Sequence, residues 1–214
     1  MKLSKGIRAI IVILLVLLAD QTLKFWVKTH LMLYEDIHIT DWFLIRFVEN
    51  DGIAMGIEVA EKFFVTIFRM AAAVAIIYYL YFLIKKGYKL GYILCVSLIF
   101  AGAAGNIIDC IFYGVIFNDS PVYNENLPHQ AAVLFPAEGG YNSWFHGRVV
   151  DMFYFPLFEF NWPSWMPFIG GQEFMFFRYI FNVADAAISV GIIVLLLFYR
   201  KTFSVSLEKK KVEN

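Results

Sequence analysis

Charge is scarce in this chain, and neither sign prevails. Asp, Glu, Lys and Arg make up 17% of the 214 residues, with 18 cations set against 18 anions. A neutral chain offers no electrostatic ground for binding nucleic acid. Cysteine is nearly missing. Cys95 and Cys110 are the two present, both in or beside one apolar run, which argues against a disulfide framework. The four histidines (His30, His38, His129 and His146) are scattered. None belongs to a His-Glu-x-x-His helix, so a zinc protease is disfavoured and no metal or cofactor is expected. There is no Gly-x-Ser-x-Gly elbow to carry a serine nucleophile. Internal repeats and low-complexity tracts are also missing.

Apolar side chains are what the sequence has in excess. Hydrophobic residues reach 60% and aromatics 19%, whereas soluble domains average roughly 45–50% apolar. The chain therefore reads as one α-helical integral membrane domain over residues 1–214. Four spans are predicted, at about 7–27, 63–84, 90–111 and 176–199, each near the roughly 20 residues that a bilayer requires. A cleaved signal peptide is the rival reading of the first span. Against it, Leu17-Leu18-Ala19 is a poor cleavage site and Asp20-Gln21 follow at once.

Between the spans lie segments 28–62 and 112–175. The first contains Ile37-His38-Ile39 and Phe43-Leu44-Ile45-Arg46-Phe47-Val48, strand-like runs closed by the turn signal Asn50-Asp51-Gly52. They predict a small sheet or hairpin lying on the membrane. The second holds all six prolines and is aromatic throughout, which suggests interfacial seating. Eleven of the 18 Lys and Arg fall in the first eight residues, in the turn 85–89 and from Arg200 onward. Those three places share one side of a four-span topology. The positive-inside rule makes that side cytoplasmic, with both termini inside. Arg69, near the start of the second span, is expected to snorkel to the nearer surface.

Seven polar residues then converge on one depth. Asp20 and Lys24 are four apart near the outer end of span one and share a helix face. Asn106 and Asp109 share a face near the outer end of span three. Asp185 opens span four, and Asp151 and Asn50 lie in outer segments able to reach the same level. Each has a bland reading. Asp20 and Lys24 can simply neutralise one another, Asn50 can be a turn residue, and Asn106 and Asp109 can be an interhelical contact. Their agreement in depth favours a shared site, because ionisable groups at membrane depth are costly without a role.

The chemistry follows from Asp151 and Asp185. Two carboxyls held close share a proton near neutral pH. One can take a proton from water while the other polarises a peptide carbonyl and later protonates the leaving amine. Asn182, three residues before Asp185, is placed to orient substrate or carboxylate.

Asp20-Gln21-x-x-Lys24, Asn50-x-Gly52-x-Ala54, Gly105-Asn106-x-x-Asp109, Val149-Val150-Asp151 and Phe181-Asn182-x-Ala184-Asp185 occur in that order around the four spans. On these motifs the chain resembles the bacterial lipoprotein signal peptidase (signal peptidase II) family from about residue 7 to 199. The resemblance implies an inner-membrane aspartyl peptidase that removes the signal peptide from diacylglyceryl-modified prolipoproteins, cutting before the lipidated cysteine. It implies Asp151 and Asp185 as the catalytic pair, with Asp20, Lys24, Asn50, Gly52, Asn106, Asp109 and Asn182 in support. It also implies an extracytoplasmic β-cradle after span one, a mobile outer helix over the site, contact with membrane lipid and inhibition by the cyclic peptide globomycin. Two departures stand out. Cys110 replaces the Arg usual after the Asn-x-x-Asp aspartate, and Arg148 is the candidate substitute. Val115–His146 reads as an inserted outer loop, a lid or a docking surface. Nothing in the spans demands a dimer, and a monomer is expected.

Three other readings remain. A transporter would place acids through the full membrane depth, whereas the inner halves of these spans are nearly free of them. A scaffold would use the polar groups only for pairing. A presenilin-like protease would carry Gly-x-Gly-Asp and more spans.

Overall fold

The computed structural model describes residues 3–51 and 59–212. Its frame is helical: α1 (Lys5–His30), α2 (Val59–Lys85), α3 (Leu90–Ile108) and α5 (Val183–Phe198). Beyond Ile108 the third helix continues through a π-helical turn, Asp109–Tyr113, and the short α4 (Gly114–Ile116). The helices are inverted relative to a soluble bundle. Ile7, Ile10, Leu14 and Leu18 on α1, and Phe64, Phe68 and Val74 on α2, face outward, whereas Asp20, Lys24 and Asp109 are fully buried. Apolar exterior and paired polar interior is the arrangement lipid selects. Among the described residues, three helices are long and apolar enough to cross a membrane, namely Lys5–His30, Lys62–Lys85 and Leu90–Ile116.

The fourth differs from the 176–199 stretch read from sequence. α5 starts only at Val183, because Asn182 caps it: the Asn182 side chain accepts from Asp185 N at 2.9 Å. Its 16 residues span about 24 Å, short of a full hydrocarbon core. The chain then bends by 89° into α6 (Arg200–Val212), so α5 and α6 together make a bent pair in place of one straight span. The segment read as a basic tail is thus helical from its start. Ser206 is buried against the Tyr79 and Tyr92 hydroxyls, which ties α6 to the end of the bundle opposite the sheets.

α3 is the hub. A Cβ at Gly102 would lie 2.2 Å from Ala184 O on α5, and one at Gly105 would lie 2.7 Å from Asp20 Oδ2 on α1. Hydrogen at these two positions is what lets three helices meet at the depth of the polar cluster.

Beyond that end lies a three-stranded antiparallel sheet in the order β1 (Asp36–Thr40), β2 (Phe43–Asn50), β3 (Val149–Tyr154). The β1–β2 turn falls at Asp41-Trp42, not at Asn50-Asp51. Asn50 instead ends β2, opposite Val149 of β3. A bulge between Ile45 and Val48 sets the outer part of the β2–β3 register, so that Val48 faces Asp151. The long loop 117–148 folds back over this sheet. Leu33 bridges Val122, and Lys28 Nζ reaches Ser120 Oγ at 2.9 Å. β4 (Phe158–Asn161) and β5 (Glu173–Phe176) form a separate hairpin. Only its last residue, Phe176, overlaps the predicted fourth span, where an apolar residue does not distinguish strand from helix.

Candidate active site

Asp151 lies in the middle of β3, where strand alternation turns it away from Val150 and Met152, which pack with Val27 of α1 and Tyr113, and toward Asn182. It is almost wholly buried. Its Oδ1 accepts from Asn182 Nδ2 at 2.7 Å and its Oδ2 from Asn50 Nδ2 at 3.2 Å. Asn50 is the diagonal cross-strand neighbour, because Val48 is the residue directly opposite.

Asp185 is the third residue of α5, half-buried. Its Oδ1 accepts from Asn106 Nδ2 at 2.8 Å and its Oδ2 from Asn182 N at 3.3 Å. Asn182 therefore joins the two acids. Its backbone N–H and side-chain oxygen complete the capping box with Asp185, and its Nδ2 is shared among Asp151, Asn106 Oδ1 at 3.1 Å and Val150 O at 3.2 Å. A helix already begun at Asn182 would turn it to the same face as Asp185. In fact Asn182 precedes the helix, and the two side chains meet through the cap.

Behind this layer sits a buried cation. Lys24 Nζ lies 2.9 Å from Asp20, 2.8 Å from Asp109 and 2.8 Å from Asn106 Oδ1. Asp20 Oδ1 also accepts from Ala184 N at 2.9 Å, and Asp109 Oδ2 from Val150 N at 3.2 Å. The ion triad thus holds both the start of α5 and the strand that carries Asp151. Close approach of that strand requires Gly147, where a Cβ would lie 2.0 Å from Asp109 O. Gly147 N donates to Cys110 O at 2.8 Å, a carbonyl freed by the π turn.

Burial, followed by the negative charge of Asp185, raises the pKa of Asp151 to about 7. A carboxyl in that range beside a second carboxylate can carry a proton at neutral pH, so the pair can serve as acid and base together.

Asp20, Lys24, Asn50, Asn106, Asp109, Asp151, Asn182 and Asp185 thus form one connected cluster. Gly52 lies outside the described residues. Arg148 does not join them. It lies on the other side of the β3 alternation, with Nη1 2.9 Å from Glu49 Oε2 and 2.7 Å from Asp119 Oδ1, and its guanidinium over the Tyr141 ring. Burial opposes its charge, but these carboxylates outweigh it and hold Arg148 above the usual arginine range. The cation beside Cys110 is instead Arg69, half-buried, whose Nη1 reaches Cys110 Sγ at 3.3 Å.

Sequence reasoning passed over Gln21, which donates to Asp109 Oδ1 at 2.9 Å and to Gly105 O at 3.2 Å. Its place one residue after Asp20 on a buried helix face was the available signal. It also passed over Glu49. That residue receives Lys28, Arg148 and, at 2.8 Å, the Ser120 hydroxyl. A Glu in an alternating strand looks solvent-facing until the inserted loop covers it.

Several known proteins are similar to this chain. A family model described as signal peptidase (SPase) II matches residues 12–201. A lipoprotein signal peptidase of Porphyromonas gingivalis is 51% identical over 209 residues, covering 97% of this chain and 88% of the relative. That of Amoebophilus asiaticus is 33% identical, covering 92% and 79%. A solved bacterial membrane enzyme superposes with a TM-score of 0.58 at 23% identity, covering 89% of this chain and 90% of that one. That likeness supports the same fold, four helices with small sheets at one end. With matches of this length and identity, the chain belongs to the signal peptidase II family, as a bacterial membrane protein.

Proposed function

We propose that the protein is an aspartyl endopeptidase that removes signal peptides from diacylglyceryl-modified prolipoproteins, cutting before the lipidated cysteine. The observation that carries the catalytic assignment is the Asp151–Asn182–Asp185 bridge, in which one asparagine holds two carboxyls of unequal burial. Asp151, the more buried, holds the shared proton, and Asp185 is the base. Asp185 takes a proton from water as the water oxygen bonds to the scissile carbonyl carbon. Asp151 gives its proton to the carbonyl oxygen. The tetrahedral intermediate then collapses. Its C–N bond breaks, the amine takes the proton held on Asp185, and a hydroxyl proton returns to Asp151. One water is consumed, and the pair ends as it began.

Asn50, Asn106 and Asn182 orient the carboxylates, while Asp20, Lys24 and Asp109 fix the elements that carry them. The basic segments support a topology in which the opposite end of the bundle, with both termini, lies on the cytoplasmic side of the inner membrane. The site then opens at the outer face, where a lipid-anchored peptide presents its cleavage point. Membrane lipid surrounds the protein, the working unit is the monomer, and globomycin is expected to inhibit it.

The test is purified protein in detergent with a diacylglyceryl prolipoprotein and its unlipidated precursor, the products read by mass spectrometry. The expected result is a single cut directly before the modified cysteine, blocked by globomycin. Equal cleavage of the unlipidated precursor would overturn the substrate assignment.

A further inference from the structure

The β4–β5 hairpin is amphipathic in a way the peptidase site does not use. Phe158 faces Phe176 and Phe160 faces Phe174, so four phenylalanines share one face. Trp162 extends that face against Phe160 and Phe174. The other face carries Glu159, Asn161, Glu173 and Met175; its three polar residues are exposed, and Met175 Sδ accepts from the Tyr154 hydroxyl at 2.8 Å, which ties the hairpin to β3. The phenylalanine face has no protein layer over it: Phe158, Phe160 and Phe176 are exposed.

At the tip, Trp165 is 78% exposed and Phe168 is 99% exposed. Phe168 also adopts a left-handed backbone conformation, φ 68°, which is sparsely populated outside glycine. Its ring gains almost no contact within the protein in return.

Two observations say what covers this face. First, the hairpin leaves β3 just after Tyr154 and returns at Asn182, one residue before α5 begins. Its base therefore lies at the level where a membrane-crossing helix starts. Second, residues 158–176 contain no Lys or Arg, and Glu159 and Glu173 are their only charges. The surface is suited to seating aromatic rings at the polar–apolar boundary and unsuited to gripping anionic headgroups.

We infer that the β4–β5 hairpin is a membrane-docking arm, which lays its phenylalanine face and the Trp165–Phe168 tip into the outer-leaflet interface. Docking would hold β3 and the start of α5, and so both aspartates, at a fixed height above the lipid. The inference rests on the proposed seating of the sheet end at the outer membrane boundary, not on the peptidase reading.

Phe168→Cys carries the test, labelled with an environment-sensitive fluorophore; the native Cys95 and Cys110 are buried and stay unlabelled. Glu125→Cys, on the exposed outer loop, is the water-facing control. Both are reconstituted into phosphatidylcholine vesicles, with and without phosphatidylglycerol. Nitroxide placed high on the lipid chains should quench the label at 168 several-fold, and iodide should barely reach it. The label at 125 should behave in the opposite way, and phosphatidylglycerol should change neither. Iodide quenching at 168 equal to that at 125, without lipid quenching, would overturn the inference. So would iodide protection in detergent that appears only when a signal peptide is added, since that would give the face to substrate. Lipid quenching in a protein that cuts nothing would refute the peptidase reading alone.

Discussion

Replacing Asn182 separates the structural and catalytic duties of one side chain. Asn182→Ala removes the acceptor for Asp185 N and the donor shared by Asp151, Asn106 and Val150. Asn182→Ser restores only the first, because a serine hydroxyl caps a helix but does not reach two side chains at once. Loss of the cap costs about 1 kcal/mol, so Ala should be less stable than Ser by about that amount. Loss of the hydrogen bond to a carboxylate costs about 1.5–3 kcal/mol, which corresponds to a fall in kcat/KM of roughly ten- to a hundredfold in both variants. Thermal unfolding in detergent reads the first difference, and cleavage of a lipidated precursor reads the second. Full activity in Asn182→Ser would refute the bridging role. Equal stability of Ala and Ser would refute the capping role.

Three further outcomes follow. The raised pKa of Asp151 lies above its unfolded value, so its protonated form favours the native state. This contribution is fully present below about pH 4 and is lost as pH rises through about 7. Urea titrations across that range should show the slope in the wild type and not in Asp151→Asn, and kcat/KM should fall above about pH 7 as the shared proton leaves. Lys24→Met leaves Asp20 and Asp109 buried without their cation, at a cost of about 3–5 kcal/mol, and adding Asp109→Asn should recover part of the lost melting temperature. Gly147→Ala drives a methyl into Asp109 O. The resulting shift of β3 should lower activity by more than its stability cost of about 1–3 kcal/mol would explain, as judged by assays well below the melting temperature.

Much of this architecture is written locally in the chain. Long apolar runs announced α1, α2 and α3, and acids set into apolar surroundings pointed to Asp151 and Asp185 before any contact was known. Pairing across a hundred residues is not local. Asn50 looked like a hairpin turn because its partner Val149 lies far along the sequence. Residues 176–182 looked like the first turns of a span because apolar runs carry no period that separates extended chain from a buried helix. Arg148, close to Asp151 in sequence, was a reasonable candidate for the missing cation. Strand alternation turned it to Glu49, and Arg69 from α2 took the place beside Cys110. The π turn at Asp109 has no sequence signature, yet it contains the Cys110 carbonyl that receives Gly147 N.

The most direct measurement is cleavage of a diacylglyceryl prolipoprotein by wild type, Asp151→Asn and Asp185→Asn, each first shown to be folded by its unfolding transition. The account predicts that wild type cuts before the lipidated cysteine and that both variants are folded and inert, with activity at least a thousandfold lower by order of magnitude. Substantial activity in either folded variant would contradict the assignment of the two aspartates as the catalytic pair.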